Sequence, residues 1–405
     1  MNKKEISFTR DLAKRYMEAL SQQQSGKTKD LWRKLHNCKM DRPMIYVWAI
    51  LFTDELEEIA QPFCQDPLLL EIEKRLQIDL YHFSIGDDYL LEPYINTYAE
   101  HTSMENGPWG VLRKIVESKG GAYKAYAEAP VKSFDDLSII NPPGHFIDEK
   151  KTAEKLSRLQ DVLGDILEVQ IIRSPHYDGN FPSRMPDMRG LSQVMMDMVD
   201  NPEGLHRMLL KMQTAAINAM DKADAAGDYT STDSFIQSCS YCDYALDPYP
   251  IKKANRKDLW CYAQAQELTL VSPSMHKEFA LDYQKPIMEK FAASAYGCCE
   301  DLTHKIDMLR KIKNLKQISI APAANLEKCA EQIRSDYVIS WRPNPTDQVC
   351  VEFDPPRIRR LIREGCDILN KYGCHYEINL KDVVSIQRER GRMKEWVEIV
   401  RSIIA

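Results

Sequence analysis

The last third of the chain alternates short apolar runs with amphipathic stretches, and this alternation constrains the fold more than any other feature. Four apolar runs are each followed by a segment with helical periodicity: 291–297, 317–320, 337–341 and 375–380. Near-continuous apolar strands that alternate with helices are typical of parallel β/α units, because helices cover both faces of the sheet. Together with earlier units, they predict an α/β protein that closes into a (β/α)8 TIM barrel.

The earlier part of the chain fits the same plan less regularly. The apolar run 78–85 ends at two aspartates and is predicted to be the first barrel strand, and further strands are predicted at 166–172 and 229–235. Residues 1–75 have helical periodicity interrupted by polar segments. We therefore expect a helical N-terminal extension over 1–75 and one barrel domain over 76–405.

Composition excludes several classes of protein. A net charge of −6 argues against a general nucleic-acid-binding protein, because no basic surface dominates. The chain has no apolar run of ~18 residues and no apolar signal segment at its N-terminus, so we expect neither a membrane span nor secretion. The eleven cysteines are irregularly spaced. They predict free thiols in the reducing cytoplasm rather than a disulfide framework.

The most informative candidate site is Ala295-Tyr296-Gly297-Cys298-Cys299-Glu300-Asp301, which follows a predicted strand. The carboxyl ends of the strands are where α/β barrels place their chemistry. Thiolates at such a position indicate a soft metal ion or a nucleophile. Cys298 and Glu300 alternate along the chain, so they point the same way if it stays extended, whereas Cys299 is expected to face the other way and pack.

Other predicted strand ends add polar side chains to the same mouth of the barrel. They are Asp87, Asp88, His176, Asp178, Trp341, Arg342, Asn344, Lys381 and Asp382. His176 is either a ligand or substrate-binding group or a loop histidine with its own hydrogen bonds. The single Cys239-Ser240-Tyr241-Cys242 pattern is interpreted as structural, because no second cysteine pair accompanies it.

Four segments carry a resemblance to a known family over roughly residues 75–400. They are Ile85-Gly86-Asp87-Asp88 with Glu92, Asp187-Met188-Arg189-Gly190 through Asn201-Pro202-Glu203, Tyr296-Gly297-Cys298-Cys299, and Glu377-Ile378-Asn379-Leu380-Lys381-Asp382. The sequence resembles the uroporphyrinogen decarboxylase-like superfamily, and is closest in kind to its corrinoid- and zinc-dependent methyltransferases. The third segment stands where those enzymes have His-x-Cys-Gly, which places Tyr296 at the histidine position.

The resemblance implies a methyltransferase that moves a methyl group between a small methylated substrate and a corrinoid protein. Zinc would act as a Lewis acid, with Cys298 retained as a ligand and Glu300 and Asp382 as substitutes for the missing ones. The expected catalytic residues are Tyr296, Asp88 and His176. The expected substrate-binding residues are Asp87, Arg184, Asp187, Trp341, Asn344 and Lys381.

Two alternatives stay open. One is a metal-independent decarboxylase of a small or tetrapyrrole carboxylic acid, in which Asp88 and either Arg184 or Arg189 handle carboxylates and Tyr296 donates a proton. The arginine-rich motif that the decarboxylases use for porphyrin carboxylates is missing from this sequence. The other is a non-catalytic barrel that binds a small ligand or a corrinoid protein. The sequence does not identify the methyl donor, the methyl acceptor or the oligomeric state.

Overall fold

The computed structural model describes residues 2–102, 106–111, 114–117, 124–177, 179–232 and 236–404. The strands are β1 Met44–Ile50, β2 Tyr94–Tyr98, β3 Lys114–Glu117, β4 Lys124–Glu128, β5 Glu168–Ile172, β6 Trp260–Ala263, β7 Ala293–Tyr296, β8 Leu315–Ile320, β9 Val338–Trp341 and β10 His375–Val383. The α-helices are α1 Lys3–Gln22, α2 Ser25–His36, α3 Glu57–Ala60, α4 Pro67–Ile85, α5 Glu149–Leu163, α6 Met185–Arg189, α7 Leu191–Asp200, α8 Pro202–Ala226, α9 Pro273–His276, α10 Asp282–Met288, α11 Ile306–Leu309, α12 Leu326–Ile333, α13 Pro355–Lys371 and α14 Gly391–Ile404.

The fold is built on a six-stranded parallel sheet with the order β1-β10-β9-β8-β7-β6. β2 and β5 form a separate two-stranded parallel sheet, and β3 and β4 form an antiparallel pair. This confirms the α/β class. Among the described residues, no strand pairing joins the six-stranded sheet to the β2–β5 pair. The large sheet is therefore a half-barrel, and closure into a (β/α)8 barrel stays a prediction.

The regular last third was predicted well. The runs at 317–320, 337–341 and 375–380 correspond to β8, β9 and β10, and the helix expected over 355–371 after the second of these is α13. The run at 291–297 contains β7, and the strand predicted at 166–172 contains β5. The helix expected after β7, over 302–313, is confined to α11.

The predicted first barrel strand at 78–85 is wrong, because these residues form the end of α4. The helix begins with a strong signal: the Asp66 side chain accepts hydrogen bonds from the amides of Leu68 and Leu69, and Pro67 occupies the first turn. The first strand of the sheet is β1, which lies inside the predicted helical extension and pairs with β10. The sheet therefore begins well before residue 76.

The strand predicted at 229–235 is also not found. Residues 233–235 lie outside the described part of the chain, and Thr230 makes one isolated antiparallel bridge with Lys253. A single bridge does not make a ladder, so the described residues 229–232 run as irregular backbone. β6, which pairs with β7, was not predicted from the sequence.

The two faces of the large sheet differ in chemistry, and this difference positions the candidate site. In β10, Ile378 and Leu380 are buried in the main apolar core. Glu377 lies on the other face, where it accepts hydrogen bonds from Ser238 Oγ at 2.6 Å and from Gln317 Nε2 at 3.1 Å. Because side chains alternate along a strand, Lys381 lies on this polar face near the C-terminal end of β10. In the part of the chain that the structure covers, no helix has both the length and the apolar character to cross a membrane.

Candidate active site

Gly297 redirects the chain at the end of β7 and so sets the position of the thiol pair. Its φ is +103°, a backbone conformation that side-chain-bearing residues rarely adopt. A Cβ at this position would lie 2.9 Å from Leu302 Cδ1 and 3.0 Å from the Ser319 carbonyl oxygen. A residue without a side chain is therefore required at the turn that leads into Cys298 and Cys299.

The two thiols are close together at the polar end of the sheet. Cys298 Sγ lies 3.6 Å from Cys299 Sγ, and Cys299 Sγ lies 3.6 Å from Asp382 Oδ2. Lys381 Nζ also lies 3.6 Å from Cys299 Sγ and forms an ion pair with Asp382. Cys298 is buried, whereas Cys299 is exposed. The expectation that Cys299 packs away from the site is therefore wrong.

Arg342 holds the loop that carries the thiols. Its guanidinium group is buried and donates to the Cys298 carbonyl oxygen at 2.8 Å, to Gln237 Oε1 at 2.7 Å and to Ser319 Oγ at 2.7 Å. The Gln237 amide nitrogen lies 3.9 Å from Cys298 Sγ. Two cationic side chains, Arg342 and Lys381, thus surround the pair from different strand ends.

These surroundings favour one thiolate in the pair. The contact with Cys299 and the positive charges of Arg342 and Lys381 lower the pKa of Cys298 to about 5, against the opposing effect of burial. The pKa of Cys299 is raised, chiefly by its contact with Cys298 and by burial. A thiolate rather than a thiol is the nucleophilic form of cysteine. Cys298 is therefore the candidate nucleophile.

The predicted zinc ligands Cys298, Glu300 and Asp382 are not brought together as a metal site. Glu300 is buried, and its carboxylate accepts the backbone amides of Ala265 at 3.0 Å and Cys298 at 2.7 Å. Lys381 places a positive charge beside Asp382. Within the described ranges, no three His, Cys, Asp or Glu side chains are arranged to hold a metal ion. As placed, these residues do not fit zinc, because a closed site needs three or four converging donors.

A cavity of about 380 Å³ is lined mainly by residues of β1, β2 and α4. We call it the tyrosine cleft; its lining includes Tyr46, Trp48, His82, Tyr89, Tyr94 and Tyr98. Lys381 Nζ lies 5.2 Å from the centroid of the Trp48 ring, in a cation–π contact. Since Lys381 also contacts Cys299, this lysine links one end of the cleft to the thiols. The cleft also has polar lining residues, among them Arg75, Asp79, Glu92 and Asn96, and a concave site with a few polar groups is typical of small-molecule binding.

The two aspartates predicted at the first strand end have structural partners. Asp88 forms hydrogen-bonded ion pairs with Arg42 and Arg401 and accepts the Ile45 amide at 2.8 Å. These contacts lie near the N-terminal end of β1, away from the thiol pair, so the structure does not support a catalytic role for Asp88. Asp87 is buried and bonded to His82, so its carboxylate is not exposed for direct substrate binding.

Tyr296 and Trp341 point away from the mouth. The Tyr296 hydroxyl is fully buried, lies 2.7 Å from His276 Nε2 and donates to Gln284 Oε1 at 3.0 Å. Trp341 packs against α13, where a Cβ on Gly365 would lie 2.1 Å from its ring. Neither side chain is brought together with Cys298, because the positions face the helical layer rather than the polar face of the sheet.

The other predicted residues are dispersed. The His176 ring lies 3.9 Å from that of His101, beyond the end of β5. Arg184 is half-exposed and forms a 3.9 Å ion pair with the buried Asp187. Asn344 is exposed and accepts the Thr346 amide. Asp178 lies outside the described residues. Arg189, the alternative to Arg184, is paired with Asp197 at 2.7 Å. Because Asp88, both arginines and Tyr296 have separate partners, the structure does not assemble the site that the decarboxylase hypothesis requires.

Trp48, His82 and Gln237 were not predicted from the sequence as parts of the site. Trp48 lies in β1 and His82 in α4, and both elements were assigned wrongly from the sequence. A residue assigned to the wrong element cannot be placed on the correct face. The signal that could have found them is the cap at Asp66 and Pro67, which identifies a helix over 67–85. Gln237 lies in irregular chain, for which the sequence gives no comparable signal.

Comparisons with models of known protein families and with curated protein sequences give no match. Comparison with solved structures finds similarity to a methyltransferase from Methanosarcina mazei, with a TM-score of 0.50 and 9% sequence identity. The match covers 93% of this chain and 98% of that chain. At this identity the similarity is one of fold, and it extends over nearly the whole length of both chains.

Proposed function

We propose that the protein is a methyltransferase that moves a methyl group between a small methylated substrate and a corrinoid protein. The observation that carries the proposal is the thiol pair, in which Cys298 Sγ lies 3.6 Å from Cys299 Sγ beside two cationic side chains. The fold that the chain shares with a methyltransferase supports the same kind of chemistry. The resemblance of the sequence to corrinoid-dependent enzymes motivates the corrinoid partner.

The Cys298 thiolate is the proposed methyl acceptor. It attacks the methyl carbon, the sulfur–carbon bond forms as the bond from carbon to the substrate heteroatom breaks, and the heteroatom leaves with the electron pair. Onward transfer to the corrinoid of the partner would break this sulfur–carbon bond and return its electron pair to Cys298 as the thiolate. Cys299 Sγ lies 3.6 Å from the thiolate sulfur, and Arg342 and Lys381 lower the pKa of Cys298. A sulfur anion is well suited to this step because its nucleophilicity does not require a general base.

The tyrosine cleft is the proposed binding site for the methylated substrate. The support for this assignment is Lys381, which contacts both the Trp48 ring of the cleft and Cys299 Sγ. The exposed side of Cys299 faces the solvent from which a macromolecular partner approaches. Bound corrinoid on that partner supplies a cobalt centre that can exchange a methyl group.

Peptide mass spectrometry tests the proposal. The protein is incubated with isotope-labelled methylcobalamin and, separately, with labelled methylamines, methanol and methoxylated aromatics in the presence of cob(I)alamin. We expect label on Cys298 with at least one donor. Cys298→Ser should abolish labelling, whereas Cys38→Ser, which changes a thiol outside the site, should not. Turnover that survives intact in Cys298→Ser would refute the proposed role of the thiolate.

A further inference from the structure

The two thiols of the candidate site are neighbours both in the chain and in space. Cys298 and Cys299 are joined by one peptide bond, and their Sγ atoms lie 3.6 Å apart. In an extended strand adjacent side chains point to opposite faces, whereas residues 298–300 form a bend. The bend brings both sulfur atoms to one side of the chain, so that a bond between them requires a further approach of about 1.5 Å.

The two sulfur atoms differ in access and in charge. Cys298 is buried, with 7% of its surface exposed, whereas Cys299 is exposed. The positive charges of Arg342 and Lys381 help to lower the pKa of Cys298, while the contact with Cys298 raises the pKa of Cys299. The pair thus combines a shielded anionic sulfur, suited to a small reagent, with a neutral thiol that a larger molecule can reach.

We propose that Cys298 and Cys299 are a reversible oxidation site, at which a hydroperoxide converts the thiol pair to a disulfide between adjacent residues. The Cys298 thiolate attacks one peroxide oxygen, the oxygen–oxygen bond breaks, and the second oxygen leaves as hydroxide. Cys298 is then a sulfenic acid. Cys299 attacks its sulfur, and the hydroxyl group leaves as water with the Cys299 proton. The two cysteines together lose two electrons, and the peroxide gains them.

The disulfide formed in this way is expected to be easily reduced. Consecutive Cα atoms are about 3.8 Å apart, which is shorter than the separation of about 4.4–6.8 Å across ordinary disulfides. Strain of this kind makes the bond labile. An external thiolate attacks the exposed Cys299, and Cys298 leaves as a thiolate, a good leaving group because its pKa is low. A second thiol molecule then frees Cys299, and the reductant leaves as its own disulfide.

Oxidation and methylation exclude each other at this site. A disulfide leaves no thiolate on Cys298 to accept a methyl group, and a methylated Cys298 has no thiolate to attack a peroxide. This consequence rests on the proposed function, whereas the oxidation itself does not depend on it.

Peptide mass spectrometry of the native protein tests the oxidation site. Reduced protein is treated with a small excess of hydrogen peroxide, alkylated with iodoacetamide and digested with trypsin, which releases residues 291–305 as one peptide. We expect this peptide to become lighter by two hydrogen atoms and to carry no alkyl group. Dithiothreitol before alkylation should restore two alkylated thiols. Two thiols that stay alkylated after peroxide, disulfides between chains, or a sulfinic acid on Cys298 beside an alkylated Cys299 would overturn the proposal.

Variants of the pair separate the two steps. Cys299→Ser keeps the thiolate but removes the second thiol, so we expect a sulfenic acid on Cys298 that dimedone traps and that more peroxide oxidises further. Cys298→Ser should slow oxidation of Cys299 at least about tenfold, because a neutral thiol is not the reactive form. Cys38→Ser, which changes a half-buried thiol outside the pair, should leave disulfide formation intact. A disulfide that still forms at residues 291–305 in Cys299→Ser would involve another cysteine and contradict the proposal.

Labelling with methyl donors distinguishes this proposal from the proposed function. If peroxide forms the disulfide but reduced protein takes no methyl label, the proposed function fails and the oxidation site remains. If reduced protein is labelled on Cys298 but peroxide forms no disulfide, the oxidation site fails and the proposed function remains. When both are correct, peroxide abolishes labelling and dithiothreitol restores it.

Discussion

The ammonium group of Lys381 lies 3.6 Å from the sulfur of Cys299. This cation comes from the protein itself and is also paired with Asp382, the carboxylate that the sequence suggested as a zinc ligand. A positive charge in this place stabilises a sulfur anion without a metal ion. It also disfavours a second cation beside the same groups. The site is thus suited to an activated thiolate.

Zinc content is expected to be low. Protein purified without chelator should contain less than about 0.1 equivalent of zinc, whereas a resident site should be close to stoichiometric. The reason is that Glu300 is committed to two backbone amides and Lys381 neutralises Asp382. Elemental analysis by mass spectrometry measures this. A full equivalent of zinc in the native protein that is lost in Cys298→Ala would contradict this prediction and support the zinc site that the sequence resemblance implies.

Alkylation of Cys298 by iodoacetamide should become faster as the pH rises through about 5, because the thiolate of this residue forms near that pH. Lys381→Met removes one of the charges that lower the pKa, so its alkylation profile should move to higher pH. Lys150→Met, which changes an exposed lysine on α5, should leave the profile in place. Peptide mass spectrometry after timed quenching gives the rates. A native profile centred near the ordinary thiol pKa would contradict the proposed electrostatics.

The lowered pKa of Cys298 also makes the stability of the protein depend on pH. The pKa of Cys298 is lower in the folded protein than in the unfolded chain, so ionisation favours the folded state at high pH. This contribution is fully present above the ordinary thiol pKa and is lost as the pH falls toward about 5. Urea unfolding of the native protein and of Cys298→Ser across this range should show a difference that shrinks with decreasing pH. A difference that grows would reverse the assigned sign.

Gly297→Ala should destabilise the protein by at least about 3 kcal/mol, since the new Cβ combines a disfavoured φ with a close approach to the Ser319 carbonyl oxygen. Gly373→Ala is the matched control. Gly373 also has a positive φ, of +68°, but a Cβ there meets nothing within 4 Å, so we expect a loss of about 1–2 kcal/mol. Free energies of unfolding in denaturant compare the two. Equal losses would show that the approach at Gly297 relaxes without cost.

Tyr296→Phe should lower stability and leave methyl transfer to Cys298 unchanged. The variant leaves His276 Nε2 and Gln284 Oε1 without a buried partner, at a cost of about 1–3 kcal/mol. Thermal or chemical unfolding measures the first effect, and the labelling assay measures the second. If the variant had native stability but no longer labelled Cys298, the result would support the catalytic role of Tyr296 that the sequence pattern suggested.

The sequence identified the half of the site that lies at the ends of regular strands. Cys298, Lys381 and Asp382 were placed at one mouth because the carboxyl ends of parallel strands share one edge of a sheet, and the structure brings these three together. Glu300 was paired with Cys298 on the assumption that the chain stays extended. Gly297 breaks that assumption, since its positive φ turns the chain and directs Glu300 to backbone amides.

The residues that β1 and α4 contribute to the site were not predicted, because both elements were assigned wrongly from the sequence. Short apolar runs do not distinguish a buried helix from a buried strand by periodicity alone, and the run at 78–85 was of this kind. The cap at Asp66 and Pro67 carried the deciding information. β1 is hard to find from sequence because its partner, β10, is distant in the chain, and pairing rather than local propensity defines it.

The pairing of β1 with β10 also bears on how the protein is made. β1 is synthesised long before β10, the strand that completes its hydrogen bonds. Until then β1 is an open edge with an apolar and aromatic surface, a combination that invites association with other chains. Closing such a long loop is also slow. Newly made chains are therefore expected to be most prone to association through the β1 edge, before β10 covers it.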